Sequence, residues 1–347
     1  MSVTTTSNAY GQTVKTANGN GNTTAAYDAD GNLVKVTDAL SQVTLRNVYD
    51  AADRLIFSID GTGAVTKYDY DKAGDVVETT QYTAFYTATG VPALTDMNTW
   101  VTSNSATGSV STRSAFDGEG RAVYTIARNN LLTRFYYDGD GRVTQQVRYA
   151  KVYAAAGTVS QATLDGWVRP DAGNADPTKD IVTRFAYDAD GRLAYSLGGT
   201  VYTSDTPPAG AALLTRYSYD AAGNLSQQTQ YAKPYTATGI KSTTDLDGWI
   251  GTTGNVTAAD RTTRYLYDKL GRVIYTADAA GTVTNITYDN EGRVLQTIVF
   301  SDRNDPASDI LTWVGGRTGA TTRYVYDAEG RKLYEADPAG TGDRLHL

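Results

Sequence analysis

The chain has no cysteine and a single histidine, His346, in 347 residues. Without thiols it can form no disulfide, no thiolate nucleophile and no sulfur-ligated metal centre, although this leaves the cellular compartment open. With its one histidine beside the C-terminus, neither a zinc site nor a Ser-His-Asp triad can be built in the body of the chain. No apolar run is long enough to span a bilayer, so membrane insertion is not expected. Met1 to Asn22 is polar and rich in Thr, Asn and Gly, with no targeting signal of the secretory kind. There is no Lys/Arg run to track phosphates. The balance of 31 basic against 38 acidic residues, net −7, argues against nucleic acid as a partner. Phe (6) and Met (2) are scarce beside 26 Tyr, so apolar contacts must lean on rings with a polar tip. That suits a stacked, partly wet sheet better than a deep oily core.

What the chain has instead is a repeat. The stretch Arg264 to Asp278 reads as two alternating apolar runs about the turn Tyr267-Asp268-Lys269-Leu270-Gly271-Arg272. Asp268 can accept hydrogen bonds from the backbone just ahead of it, and Gly271 can take the left-handed conformation, which together predict a type I turn with a bulge. Pairing Asp268 with Arg272 predicts that Tyr267 faces Val273, Leu266 faces Ile274 and Tyr265 faces Tyr275. One face is then expected to carry Tyr265, Tyr267, Val273 and Tyr275. The same pattern of aromatic, Asp, two variable residues, Gly and Arg or Asn begins at Tyr27, Tyr49, Tyr70, Phe116, Tyr137, Tyr187, Tyr219, Tyr267, Tyr288 and Tyr326. Ten copies make a repeat array. Asp53 stands in place of Gly and Asp75 in place of Arg, so the cross-turn ion pair is optional.

These motifs resemble the YD repeats of bacterial RHS proteins, of Tc insecticidal toxin complexes and of animal teneurins. The resemblance covers nearly the whole chain. It implies a spiral of β-hairpins that, in complete proteins, winds into a hollow shell, in some members around a toxic C-terminal segment and in others at the cell surface in adhesion. It places the parent protein outside a bacterial cell or on its surface. The family's self-cleaving aspartyl machinery has no counterpart here, since Asp337-Pro338-Ala339-Gly340 matches an ordinary connecting turn better.

Met1 to Asn22 reads as a frayed or partial first repeat, in which Tyr10 and Val14 alternate well enough for an edge strand. Residues 23–69 hold short units joined by turns such as Asp60-Gly61-Thr62-Gly63. From residue 70 to 347, long units starting at Tyr70, Tyr137, Tyr219 and Tyr288 alternate with short ones at Phe116, Tyr187, Tyr267 and Tyr326. Each long unit repeats an aromatic twelve residues after its motif ring, at Tyr82, Tyr149, Tyr231 and Phe300, and holds one of the four tryptophans, Trp100, Trp167, Trp249 and Trp313. Apolar residues three apart around each Trp predict a single helical turn, the last with Asp305-Pro306 at its start. The short unit at Tyr187 is stretched by Gly198 to Ala211, which reads as a surface excursion. Leu347 aligns with Tyr288, so the chain reads as an excerpt truncated before its next turn.

The whole is expected to be one array over 1–347: an all-β, antiparallel β-hairpin solenoid with short helical turns in the long inserts. A hairpin alone buries too few side chains to offset its ordering entropy, so each unit must lean on the next. End-to-end self-association follows, because neither end has a strongly polar cap. The motif residues Tyr27, Asp28, Gly31; Tyr137, Asp138, Gly141, Arg142; Tyr187, Asp188, Gly191, Arg192; Tyr267, Asp268, Gly271, Arg272; and Tyr326, Asp327, Gly330, Arg331 are read as structural. Each Asp caps its turn and each Arg pairs with it.

No cofactor, metal or catalytic residue is predicted. Paired carboxylates would suit a glycoside hydrolase, but these repeat one role, and catalysis needs a site unlike its neighbours. Asp28-Ala29-Asp30-Gly31-Asn32 begins like a calcium loop, yet its Gly is misplaced and Ala39 stands where the closing Glu is required. Gly19-Asn20-Gly21 and Gly315-Gly316 lack the context of a phosphate loop. The rival is an adhesin or carbohydrate-binding module in which the tryptophans stack on surface glycans rather than plugging gaps between hairpins. The favoured function is a non-catalytic wall segment of a shell or stalk, with neighbouring repeats and an enclosed toxin as partners.

Overall fold

A Tyr-Asp motif closes its hairpin through backbone bonds that the Asp side chain reinforces. At Tyr267–Arg272, the Asp268 N–H donates to the Arg272 carbonyl (2.9 Å) and the Gly271 N–H to the Asp268 carbonyl (3.1 Å). Asp268 Oδ1 accepts the N–H groups of Leu270 (2.9 Å) and Arg272 (3.0 Å). Gly271 has φ +74°, where a side chain is strained, and Asp53 holds the equivalent place at φ +59°. The return turns at the other end of the strands use the same chemistry. There Asp60 and Asp278 accept from N–H groups two and four residues ahead.

Beyond the turn, the pairing departs from the sequence expectation. Tyr267 opposes Val273, but Leu266 opposes Tyr275 and Tyr265 opposes Thr276, with Ile274 as the extra residue of a β-bulge. Tyr275 therefore lies on the face of Leu266, not on that of Tyr265 and Tyr267. The bulge adds twist where the hairpin leaves its turn. The slip recurs beside Tyr27, Tyr49, Tyr70, Phe116, Tyr187, Tyr219, Tyr288 and Tyr326.

The computed structural model describes residues 3–18, 21–104, 108–176, 179–201, 212–235, 242–304, 308–338 and 343–344. The fold is all-β: among these residues there are twenty-three strands and four α-helices. Two compact units are present, Met1–Arg142 with Gln146–Asp180, and Val143–Gln145 with Ile181–Leu347. In the first, each strand from Thr4–Ser7 to Leu131–Tyr137 pairs antiparallel with the next in sequence. In the second, the same holds from Ile181–Tyr187 to Asp343–Arg344.

Near the N-terminus, Thr4–Ser7 and Thr13–Asn18 form a hairpin, and Tyr10 lies in its exposed turn rather than on a strand. Gly198 belongs to the strand Leu193–Val201, which pairs with Leu213. The excursion predicted beyond it, 202–211, lies outside the described residues, as do Gly19-Asn20 and His346.

Each insert carries a helix: α1 (Leu94–Asn104), α2 (Gln161–Val168), α3 (Thr243–Ile250) and α4 (Ile310–Val314). The first three exceed the single turn predicted, and serine caps satisfy first-turn N–H groups of α2 and α3. Ser160 Oγ accepts the Thr163 N–H, and Ser242 forms a capping box with Asp245. The cap of α4 is Asp309, bonded to the Thr312 N–H. It replaces the predicted Asp305-Pro306, which lies outside the described residues. Each helix buries an apolar residue, Met97, Leu164, Leu246 or Ile310, and α2 buries Val168 as well. Around them gather discrete clusters, such as Leu246 with Ala186, Tyr195, Leu197, Leu214, Tyr231 and Tyr235.

Candidate functional site

The motif tyrosine, read above as a sheet-face ring, does a second job with its hydroxyl. Tyr267 donates to the carbonyl of Leu225, which follows the Asp220–Asn224 turn of the preceding hairpin. Tyr49, Tyr70, Tyr137, Tyr187, Tyr219, Tyr288 and Tyr326 do the same to Leu33, Leu55, Ala122, Val143, Leu193, Val273 and Val294, at 2.7–3.0 Å. Tyr27 reaches the carbonyl of Thr13 (3.1 Å). Every motif tyrosine thus staples its hairpin to the one before, and Phe116 alone among the ten rings lacks the hydroxyl.

The bond from Tyr27 exposes a turn that sequence reasoning missed. Asn8 accepts the N–H groups of Tyr10 and Gln12, its amide bonds Gln12 Oε1 (2.7 Å), and Gly11 sits at φ +78°. Asn and Gln here replace Asp and Arg, which hid an eleventh turn of the same kind.

The motif arginines complete the staple. Arg54, Arg121, Arg142, Arg192, Arg272, Arg293 and Arg331 each pair with their turn Asp at 2.6–2.8 Å. The guanidinium groups of Arg54, Arg121, Arg192, Arg272 and Arg293 also lie 4.7–5.0 Å from the ring centre of the next motif Tyr. Where Asn replaces Arg, the pairing survives: Asn32 bonds Asp28 (3.2 Å) and Asn224 bonds Asp220 (3.1 Å). The Arg272 N–H, with the Arg272 side chain, holds the Asp268 carboxyl below its ordinary pKa, and Asp50 and Asp138 are lowered in the same way by Arg54 and Arg142. A general acid needs the opposite shift. These carboxylates are saturated by their own turns.

On the insert side, each Trp meets its neighbours edge to face. Trp100 lies 5.5 Å from Tyr82 and 6.2 Å from Tyr86; Trp167 sits likewise on Tyr149 and Tyr153, Trp249 on Tyr231 and Tyr235, and Trp313 on Phe300. The second ring of each pair, four residues on, is fixed by its backbone: the Tyr86 N–H donates to Gly63, Tyr153 to Asn130 and Tyr235 to Ala212. A side chain at Gly63 would strike the Tyr86 carbonyl at 2.5 Å. All four tryptophans are half-buried.

Beneath α2 and α3 lies a polar triad that the sequence did not reveal. The Tyr124 hydroxyl donates to Asp165 (2.6 Å), and Arg134 pairs with the same carboxylate (3.2 Å) while stacking on Tyr124 and Tyr136. Tyr195, Asp247 and Arg216 repeat this arrangement. Tyr124 and Tyr195 are almost wholly buried. Burial, then the bond to Asp, pushes both phenols up from their ordinary pKa. Beside each triad opens a cleft, of about 280 Å³ at Tyr124 and about 320 Å³ at Tyr195, and the two are copies of each other. Arginines at the place of Arg134 and Arg216 in the short units, three residues before the motif ring, act differently. Arg46 donates to the Ala88 carbonyl, and Arg113 to the carbonyls of Ala155 and Gly157, pinning the loops that follow the Trp-bearing rings. Among the described residues, no three His, Cys, Asp or Glu side chains converge as a metal site, and no helix is long and apolar enough to cross a membrane.

Residues 27–56, which contain the first two motif tyrosines, match the family model RHS Repeat. The crystal structure of TcdB2-TccC3 superposes with a TM-score of 0.58 at 16% identity, covering 98% of this chain and 16% of that one. The TcdB2-TccC3-Cdc42 structure gives 0.50 at 14% identity, covering 98% of this chain and 18% of that one. The chain carries an RHS repeat and shares the fold of the matched part of these structures, while spanning only the 16% and 18% of their length just given. Among curated protein sequences, none matches.

Proposed function

We propose that the chain is a non-catalytic wall segment of a large secreted or cell-surface YD/RHS-repeat protein, and that the wall encloses a toxin or effector polypeptide. The observation that carries this reading is the staple: the same Tyr-to-carbonyl bond recurs at nine motifs, and each holds one hairpin to the last. Chemistry that recurs at nine of the ten motifs suits a wall, whose parts must be interchangeable, and not an active site. We take residues 1–347 as one array, with its neighbouring repeats as the principal partners. The tryptophans are taken as plugs, since the rings that would have to receive a sugar already pack on Tyr or Phe edges.

Limited proteolysis of the parent protein tests this. Any polypeptide held inside should stay intact while the array is folded, and be cut when several staples are removed together by Tyr→Phe substitution. Equal cleavage before and after would refute enclosure. A shift of tryptophan fluorescence on glycan titration would instead favour an adhesin.

A further inference from the structure

Aligned on their motif rings, the short units after the one at Tyr27 place an aromatic eight residues on: Phe57, Tyr124, Tyr195, Tyr275 and Tyr334. On one side each opposes the residue just before the motif ring, Val48, Ala115, Ala186, Leu266 or Val325. On the other it opposes Lys67, Arg134, Arg216, Asn285 or Arg344. The first four sites lie against an insert helix, through Met97, Asp165, Leu246 and Ile310 respectively. At the fifth, Tyr334 is 41% and Val325 50% exposed, although Val48, Ala115 and Ala186 are buried.

The four covered sites also show what each helix must carry. The residue after its buried anchor is Asn98 where the strands pair Phe57 with Lys67, and Leu311 where they pair Tyr275 with Asn285, but Asp165 and Asp247 where the strands present Tyr beside Arg. At both of these sites one carboxylate accepts from the phenol and pairs with the guanidinium; Tyr275, with no arginine opposite it, is covered by a helix without one. At the fifth site the register again sets Tyr against Arg, at Tyr334 and Arg344.

We propose that the face around Val325 and Tyr334 is a docking site for a further insert helix of this chain's own kind. Its pattern is Leu-Asp-Gly-Trp, with the Asp bonding the Tyr334 hydroxyl. This rests on the internal repeat and not on what the wall encloses.

The test extends the full chain, replacing residues 345–347 with a second copy of 217–267, which brings its own Leu-Asp-Gly-Trp helix in the register that Arg216 sets. One form keeps the copied aspartate and another has it changed to Leu. Nitration by tetranitromethane, read at Tyr334 by mass spectrometry, should fall several-fold in the aspartate form relative to the unextended chain. Tyr334→Phe should lower the melting temperature of the aspartate form and leave the Leu form unmoved. Unchanged nitration, including through failure of the extension to dock, or an equal effect of Tyr334→Phe in both forms, would overturn the proposal.

Discussion

The turn edge and the insert side hold hairpin to hairpin by opposite means. Along the turn edge, one small polar device is repeated with hardly a change: Tyr hydroxyl to carbonyl, Arg to Asp, Arg over Tyr. On the insert side, each helix concentrates its grip in one or two buried anchors, and the surroundings vary from Phe57 with Met97 to Tyr195 with Leu246. Many weak equal bonds tolerate the loss of any one, as Phe116 does without a hydroxyl. A single anchor does not.

That contrast orders the expected effects. Leu246→Ala removes a fully buried anchor and should cost about 2–5 kcal/mol in denaturant unfolding. Asp247→Ala leaves the buried Tyr195 hydroxyl without its acceptor and should cost about 1–3 kcal/mol. Combining it with Tyr195→Phe should return part of that loss, because Phe57 already fills the equivalent strand position without a hydroxyl, packed with Met97. Tyr267→Phe deletes one staple bond and should cost only about 0.5–1.5 kcal/mol.

Titration separates the same two regions. The carboxyls of Asp50, Asp138 and Asp268 lie below their ordinary value in the folded chain, chiefly through the N–H of Arg54, Arg142 and Arg272. The unfolded chain therefore binds protons more readily, and the stability these groups confer is present above about pH 4 and lost as pH falls through the lowered values. Tyr124 and Tyr195 are raised, first by burial. Their contribution is whole below about pH 10 and lost as pH rises through the raised values. Asp50→Asn with Asp138→Asn and Asp268→Asn should blunt the acid limb of a melting-temperature profile and spare the alkaline limb. Tyr195→Phe should do the reverse.

The turn edge was legible in the sequence because its chemistry is local. Asp268, Gly271 and Arg272 lie within five residues and act on one another, so spacing alone predicted the turn and the ion pair. The bulge at Ile274 was not legible, since an alternating apolar run reads the same whether or not one residue is skipped; the skip moved Tyr275 to the other face. The triads were hidden by distance, as Tyr124 and Asp165 meet only when the insert folds back. The helices were underestimated because Thr and Asn are indifferent helix formers, and the caps Ser160 and Ser242 carry more of the signal than the apolar spacing. At Asn8 the same turn was concealed by amides standing in for charges.

The most direct test of the stapled array is a cumulative series: Tyr→Phe at one, two, three and four of Tyr219, Tyr267, Tyr288 and Tyr326, with stability measured by denaturant unfolding at each step. If hairpins are held by equal staples, stability should fall by similar increments whichever tyrosine is changed first. A series in which one position accounts for the whole loss, or in which four substitutions change nothing, would contradict it.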